Sequence, residues 1–188
     1  FAVGCGYKYL NGGPGAVSGI FVHARHAEDP GLPRFAGWWG HDRASRFEMG
    51  PQFRPMPGAE GWQLSNPPIF SLTPLLASLE LFERAGMDAL RRKSERLTGF
   101  LEALLTRRLP VEVRILTPPD PSRRGCQLSL ALRAGRDRGR EVFAGLSAAG
   151  VVCDWREPDV IRVAPVPLYN RYADCEHFVA VLADLLGG

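Results

Sequence analysis

Gly4-Cys5-Gly6-Tyr7-Lys8-Tyr9-Leu10-Asn11-Gly12-Gly13-Pro14-Gly15 sets a lysine between two tyrosines, directly before a glycine-rich loop. Glycine adopts backbone conformations closed to other residues and lets the chain approach a ligand closely. One β-like run leads into the loop, Phe1 to Tyr7, and another follows it, Gly19 to His23. The stretch predicts two adjacent strands joined by a tight, specialised loop with Lys8 at its mouth. No acidic residue stands within several positions of Lys8. A desolvated lysine can lose its proton, and the free amine can attack an aldehyde to form a Schiff base. The alternative is a surface lysine at a strand end. Of the 23 basic residues only Lys8 and Lys93 are lysines, so arginine serves wherever a surface cation suffices. Lys93 lies among Arg91, Arg92 and Glu95 on a polar helix face and is expected to be solvated.

Beyond the loop, residues 28–68 are rich in Gly, Pro, Trp and Arg without helical or strand periodicity, which predicts a long ordered loop of the kind kept for function. A helix is expected from Thr73-Pro74, with apolar positions at Leu75, Leu76, Leu79 and Phe82 and a stop at Gly86. A second helix spans about Met87 to Arg108, with Leu90, Leu97, Leu101 and Leu104 or Leu105 on one face. Alternation then predicts strands at Val111 to Ile115 and Cys126 to Leu132. A helix follows at about Asp137 to Ala149, then strands at Val151 to Cys153 and Val160 to Val163, and a closing helix at Asp174 to Leu186. This order describes a small α+β domain with helices on one face of a sheet.

The formal net charge of +3, with both signs interspersed, argues against nucleic-acid binding. Cys5, Cys126, Cys153 and Cys175 are widely spaced, without a metal-ligand pattern, and are expected to be reduced and mostly buried. No apolar run is long enough to span a bilayer, so a soluble, cytoplasmic protein without membrane contact is expected. The opening run, Phe1 to Cys5, reads like a strand already inside a sheet, and further sequence is expected upstream.

Three more places invite chemistry. Trp38, in Gly37-Trp38-Trp39-Gly40-His41, offers one indole donor and a large apolar face, or is ordinary core. His41 is either a substrate contact or a satisfied structural histidine, the structural reading being preferred. Asn66, beside Ser65, precedes two prolines that hold the backbone extended and aim its amide. Arg162 lies between Ile161 and Val163 in an apolar strand, where a guanidinium is expensive unless it meets an anion; a carboxylate would offset that cost.

The segment around Lys8 resembles the pyridoxal-phosphate lysine segment of kynureninases. Gly37 to His41, Ser65-Asn66-Pro67-Pro68-Ile69 and Ile161-Arg162-Val163-Ala164-Pro165-Val166-Pro167-Leu168-Tyr169-Asn170 resemble further segments of that family in the same order. The resemblance implies a fold-type-I pyridoxal-phosphate enzyme of the α/β class. Residues 1–86 would be the C-terminal portion of the large cofactor-binding domain, the end of its sheet, and residues 87–188 the small C-terminal α+β domain. It implies hydrolysis of L-kynurenine, or its 3-hydroxy form, to anthranilate or 3-hydroxyanthranilate and L-alanine, within tryptophan catabolism.

By the same resemblance, Lys8 holds the cofactor and moves protons at the substrate α-carbon. Tyr7 reaches the cofactor phosphate and assists proton transfer. Trp38 approaches the phosphate from a partner subunit. Asn66, with Ser65, contacts cofactor or substrate across the interface of a homodimer with shared active sites. Arg162 clamps the substrate α-carboxylate. The family's phosphate-binding threonine loop, ring-stacking aromatic and aspartate for the pyridine nitrogen have no counterpart here and are expected upstream. The alternatives are another enzyme of the same fold, such as a cysteine desulfurase-like lyase, or a non-catalytic dimerisation fragment.

Overall fold

The computed structural model describes residues 1–29 and 31–187. They form two units, Phe1–Leu81 and Phe82–Gly188. In the first, β1 (Ala2–Cys5) pairs antiparallel with β2 (Ser18–Phe21), in register from Ala2 opposite Phe21 to Cys5 opposite Ser18. The two strands and tight loop are as the glycine-rich stretch predicts. After β2 the chain runs through an ordered loop, fastened by short helical turns at Ala24–His26 and Gly58–Trp62.

Helix α1 spans Ile69–Ala85, so the expected start at Thr73-Pro74 is one turn late. The amides of Ser71 and Leu72 both bond the Pro68 carbonyl at 3.1 Å, and the Thr73 hydroxyl donates back to the Ile69 carbonyl at 3.2 Å instead of capping. Pro74 lies inside the helix and deprives the Phe70 carbonyl of its amide partner. Phe70 is exposed, so water can reach that carbonyl. Leu75 and Phe82 are buried as expected, whereas Leu76 and Leu79 are exposed.

The second unit follows the expected order of elements. Helix α2 is Met87–Arg108, with Leu90, Leu97, Leu101 and Leu105 buried. Strands β3 (Val113–Ile115) and β4 (Leu128–Leu132), helix α3 (Gly135–Ala148), strands β5 (Asp154–Arg156) and β6 (Val160–Val163), and helix α4 (Tyr172–Leu186) complete it. The sheet is antiparallel throughout, ordered β3-β4-β6-β5. Leu128, Leu130, Ile161 and Val163 join residues of α2, α3 and α4 in one core. Burying each such side chain contributes roughly 1.5–3 kcal/mol relative to leaving it exposed.

Val151 to Cys153, expected as a strand, is unpaired, and β5 begins at Asp154. Gly150 turns the chain at φ 78°, and the Val151 amide is spent on the Leu146 carbonyl at 2.9 Å, closing α3. Pairing with β6 therefore starts only where Asp154 meets Arg162. This offset decides what Arg162 touches. Among the described residues no helix is long and apolar enough to cross a membrane.

Candidate functional site

The lysine loop is held by its own backbone. The Gly6 amide bonds the Val17 carbonyl at 3.1 Å, the Gly12 amide bonds the Gly6 carbonyl at 2.9 Å, and the Asn11 amide bonds the Lys8 carbonyl at 2.9 Å. A side chain at Gly6 would meet the Val17 carbonyl oxygen at 2.4 Å, and one at Gly12 the Gly6 carbonyl oxygen at 2.8 Å. The glycines are therefore required for closure, and closure places Lys8 at an exposed corner. Lys8 Nζ lies 5.1 Å from the centre of the Tyr7 ring. Among the described residues this amine makes no ion pair and no hydrogen bond.

Lys93 is not simply solvated: it is half-buried, and its Nζ donates to the Pro167 carbonyl at 2.6 Å. The helix brings it to a carbonyl in a proline-rich turn, a contact far apart in sequence. Of the two lysines, Lys93 is therefore bonded to a backbone carbonyl, whereas the Lys8 amine has no hydrogen bond among the described residues.

The tryptophan segment is built into the long loop. A side chain at Gly37 would lie 2.3 Å from the Leu64 Cα, so the backbones touch there. Trp38 is half-exposed, stacks edge-on against Phe47 at 5.5 Å, and donates its indole N–H to the Arg46 carbonyl at 3.2 Å. Arg46, only 9% exposed, was not singled out by the sequence. Its Nη2 donates to the carbonyls of Trp39 at 3.0 Å and His41 at 3.1 Å, and its guanidinium lies 4.7 Å from the Trp39 ring. A buried guanidinium bonded through Nη2 to two backbone carbonyls fastens the segment, while its Nε is buried without a partner among the described residues; one more arginine in an arginine-rich chain carries no such signal.

His41 is taken up by the same loop. The Arg54 amide approaches Nδ1 at 3.5 Å, and Nε2 lies 3.2 Å from the Ser45 hydroxyl. Ser45 in turn donates to Asp42 Oδ1 at 2.9 Å. That bond is the largest influence on the Asp42 carboxyl and, with the Ser45 and Ala44 amides, holds it below its ordinary range against the opposing effect of desolvation. The arrangement supports the structural reading of His41. Ser65 and Asn66 are exposed just ahead of α1. Among the described residues no hydrogen bond or ring contact links Trp38, Ser65 or Asn66 to Lys8.

In the second unit, Ile161 and Val163 face the core, so Arg162 between them projects from the opposite face of the sheet. Its side chain is 30% exposed. The apolar strand is thus only half of its surroundings. Arg162 Nε donates to Asp154 Oδ2 at 2.8 Å, and Nη2 bonds the same oxygen. The sequence reading missed Asp154, because which residue of a neighbouring strand stands opposite an arginine is a matter of register.

Residues 90–182 match the model of the kynureninase C-terminal domain. The kynureninase of Stenotrophomonas maltophilia is 66% identical over 179 residues, covering 95% of this chain and 42% of the relative. That of Xanthomonas euvesicatoria shows the same identity and coverage. The chain belongs to the kynureninase family. It spans less than half the length of these curated relatives. An apo cysteine desulfurase from Thermococcus onnurineus covers 94% of the chain with a TM-score of 0.65 at 16% identity, and the chain covers 45% of it. A C-DES mutant with glycine covalently linked to its pyridoxal-phosphate cofactor covers 81% with a TM-score of 0.60 at 21% identity, and the chain covers 38% of it. Sequence thus places the chain among kynureninases, while the desulfurase likeness establishes the fold-type-I architecture.

Three of the four thiols of the chain are shielded from ionisation by burial. Burial pushes Cys153 and Cys175 up to about 11, and raises Cys126 as well. A nucleophilic thiol must ionise near neutrality, and these resist ionisation. Between the ordinary thiol value and about 11 the unfolded chain is deprotonated where the folded chain keeps its protons, so stability falls as pH rises through that window. Thermal unfolding followed from pH 8 to 11 is expected to show a declining Tm, and a Cys153→Ala, Cys175→Ala double variant a shallower decline.

Proposed function

We propose that the protein carrying this chain is a pyridoxal-phosphate-dependent hydrolase. It cleaves L-kynurenine, or 3-hydroxykynurenine, to anthranilate or 3-hydroxyanthranilate and L-alanine. Residues 1–86 belong to the cofactor-binding domain and residues 87–188 form the small domain. The observation that carries this reading is the Lys8 loop: glycines let it close on its own backbone and present an amine with no ionic partner among the described residues, in a chain 66% identical to kynureninases.

That loop fits the cofactor chemically. The Lys8 amine is available to an aldehyde, and the adjoining Tyr7 hydroxyl has no hydrogen bond among the described residues. Bound pyridoxal phosphate supplies an electron sink for the carbanions of carbon–carbon cleavage. Lys8 holds the cofactor covalently and afterwards carries protons to and from the substrate α-carbon. Tyr7 donates to the phosphate and assists that proton transfer. Arg162 receives the α-carboxylate and so fixes which bond is presented for cleavage. Trp38 serves the phosphate from the partner subunit of a homodimer by exchanging its Arg46 carbonyl for a phosphate oxygen, and Asn66, with Ser65, reaches across the same interface. The protein acts in the cytoplasm on a small molecule, without nucleic acid or membrane.

The test is appearance of anthranilate fluorescence when the full-length, cofactor-loaded protein is given L-kynurenine. Cofactor binding with release of sulfur from cysteine and no anthranilate would favour the desulfurase-like alternative. For shared sites, mixing inactive Lys8→Ala and Asn66→Ala proteins is expected to restore part of the activity, because mixed dimers hold one intact site. Failure of such mixtures under conditions of subunit exchange would refute the shared-site reading.

A further inference from the structure

We infer that Asp154 is the positioning residue for Arg162: it orients the guanidinium by one edge and leaves the other edge free for a substrate carboxylate. The inference rests on the reading of Arg162 as the carboxylate clamp. Register places Ser129, Arg162 and Asp154 side by side across β4, β6 and β5, on the face of the sheet away from the core. Asp154 takes the edge formed by Nε and Nη2, with Nε at 2.8 Å. Among the described residues Nη1 has no hydrogen bond, so the edge formed by Nη1 and Nη2 can still meet a planar anion in paired fashion. On the other flank stands Ser129, too small to cover the arginine.

Charge favours the same arrangement. Arg156 Nη2 also lies 3.2 Å from Asp154 Oδ2, so two guanidinium groups share one carboxylate and this pair of arginines is not fully compensated by it. A monoanionic amino-acid carboxylate would add to that compensation. A second carboxylate in place of Ser129 would itself compensate the pair, and an Arg162 without Asp154 would sweep through several rotamers at the end of a long side chain. Holding the fork in one orientation removes that freedom before the substrate arrives.

The experiment is steady-state kinetics of the full-length, cofactor-loaded enzyme with L-kynurenine and with its α-carboxamide analogue. Asp154→Asn and Asp154→Ala are expected to raise KM for kynurenine about 10-fold with kcat within about 2-fold, as for a misplaced binding group. Asp154→Glu is expected to recover part of the loss. The carboxamide analogue, which offers no anion, should be turned over equally by the wild type and the Asp154 variants. In an Arg162→Ala background, Asp154→Asn should have no further effect. An unchanged KM in both Asp154 variants, alongside a raised KM in Arg162→Ala, overturns the positioning role and leaves the clamp intact. A full Asp154→Asn effect persisting without Arg162 overturns it too. An unchanged KM in Arg162→Ala overturns the clamp itself, and the inference with it.

Discussion

Replacing Lys8 by alanine is expected to reduce kynurenine turnover at least about 1,000-fold, the scale on which a positioned proton carrier acts. The expected loss has two sources, since in the proposed role one amine both anchors the cofactor and moves the proton at the α-carbon. Lys93, the other lysine of this chain, is tied to the Pro167 carbonyl at 2.6 Å. Borohydride treatment of the cofactor-loaded enzyme, followed by peptide mapping, should mark Lys8. The visible absorbance of the lysine-bound cofactor should vanish in Lys8→Ala while the protein remains folded. A mark on Lys93, or none with cofactor bound, would remove Lys8 from its role. Restoration of some activity by an added small amine would support it.

Arg162→Ala is expected to lower kcat/KM by about 2 kcal/mol, roughly 30-fold, at the low end of the range for breaking a charge pair. The low end applies because the side chain is 30% exposed and water can partly replace it at the carboxylate. Arg162→Lys keeps the charge but not the planar fork, and one ammonium cannot both bond Asp154 and grip a carboxylate in paired fashion. Its KM should therefore rise substantially as well. Cofactor affinity, read from spectral titration, should barely change in either variant. Abolished cofactor binding, or intact kynurenine turnover in Arg162→Ala, would return Arg162 to a structural role.

Both expectations began with residues legible in the sequence, and they were legible for different reasons. Lys8 announces itself through its neighbours, because a loop built from glycines at positions 6, 12, 13 and 15 is a local signal. Arg162 announces itself through contrast, as a cation between two apolar residues. What it bonds could not be read in the same way. Asp154 is eight positions away, and a shift of one residue in β5 would have put Trp155 opposite Arg162 instead. The misplaced strand at Val151 to Cys153 shows the same difficulty: three apolar residues look like a strand, but the end of α3 claims the Val151 amide. Trp38 is similar, since nothing in Gly37 to His41 reveals that its indole N–H meets the Arg46 carbonyl.

By itself the sequence determined the family, the lysine loop, the limits of α2 and the alternation of helices and strands in the second unit, all of which depend on residue types at short spacings. Tertiary structure decided which face of the sheet Arg162 occupies, which carboxylate holds it, which lysine is spent on a carbonyl, and how a buried Arg46 fastens the tryptophan segment. Those outcomes depend on register and on which distant backbone carbonyls lack partners. A pattern read along one strand carries neither, because hydrogen bonds between elements are settled only when the elements pack.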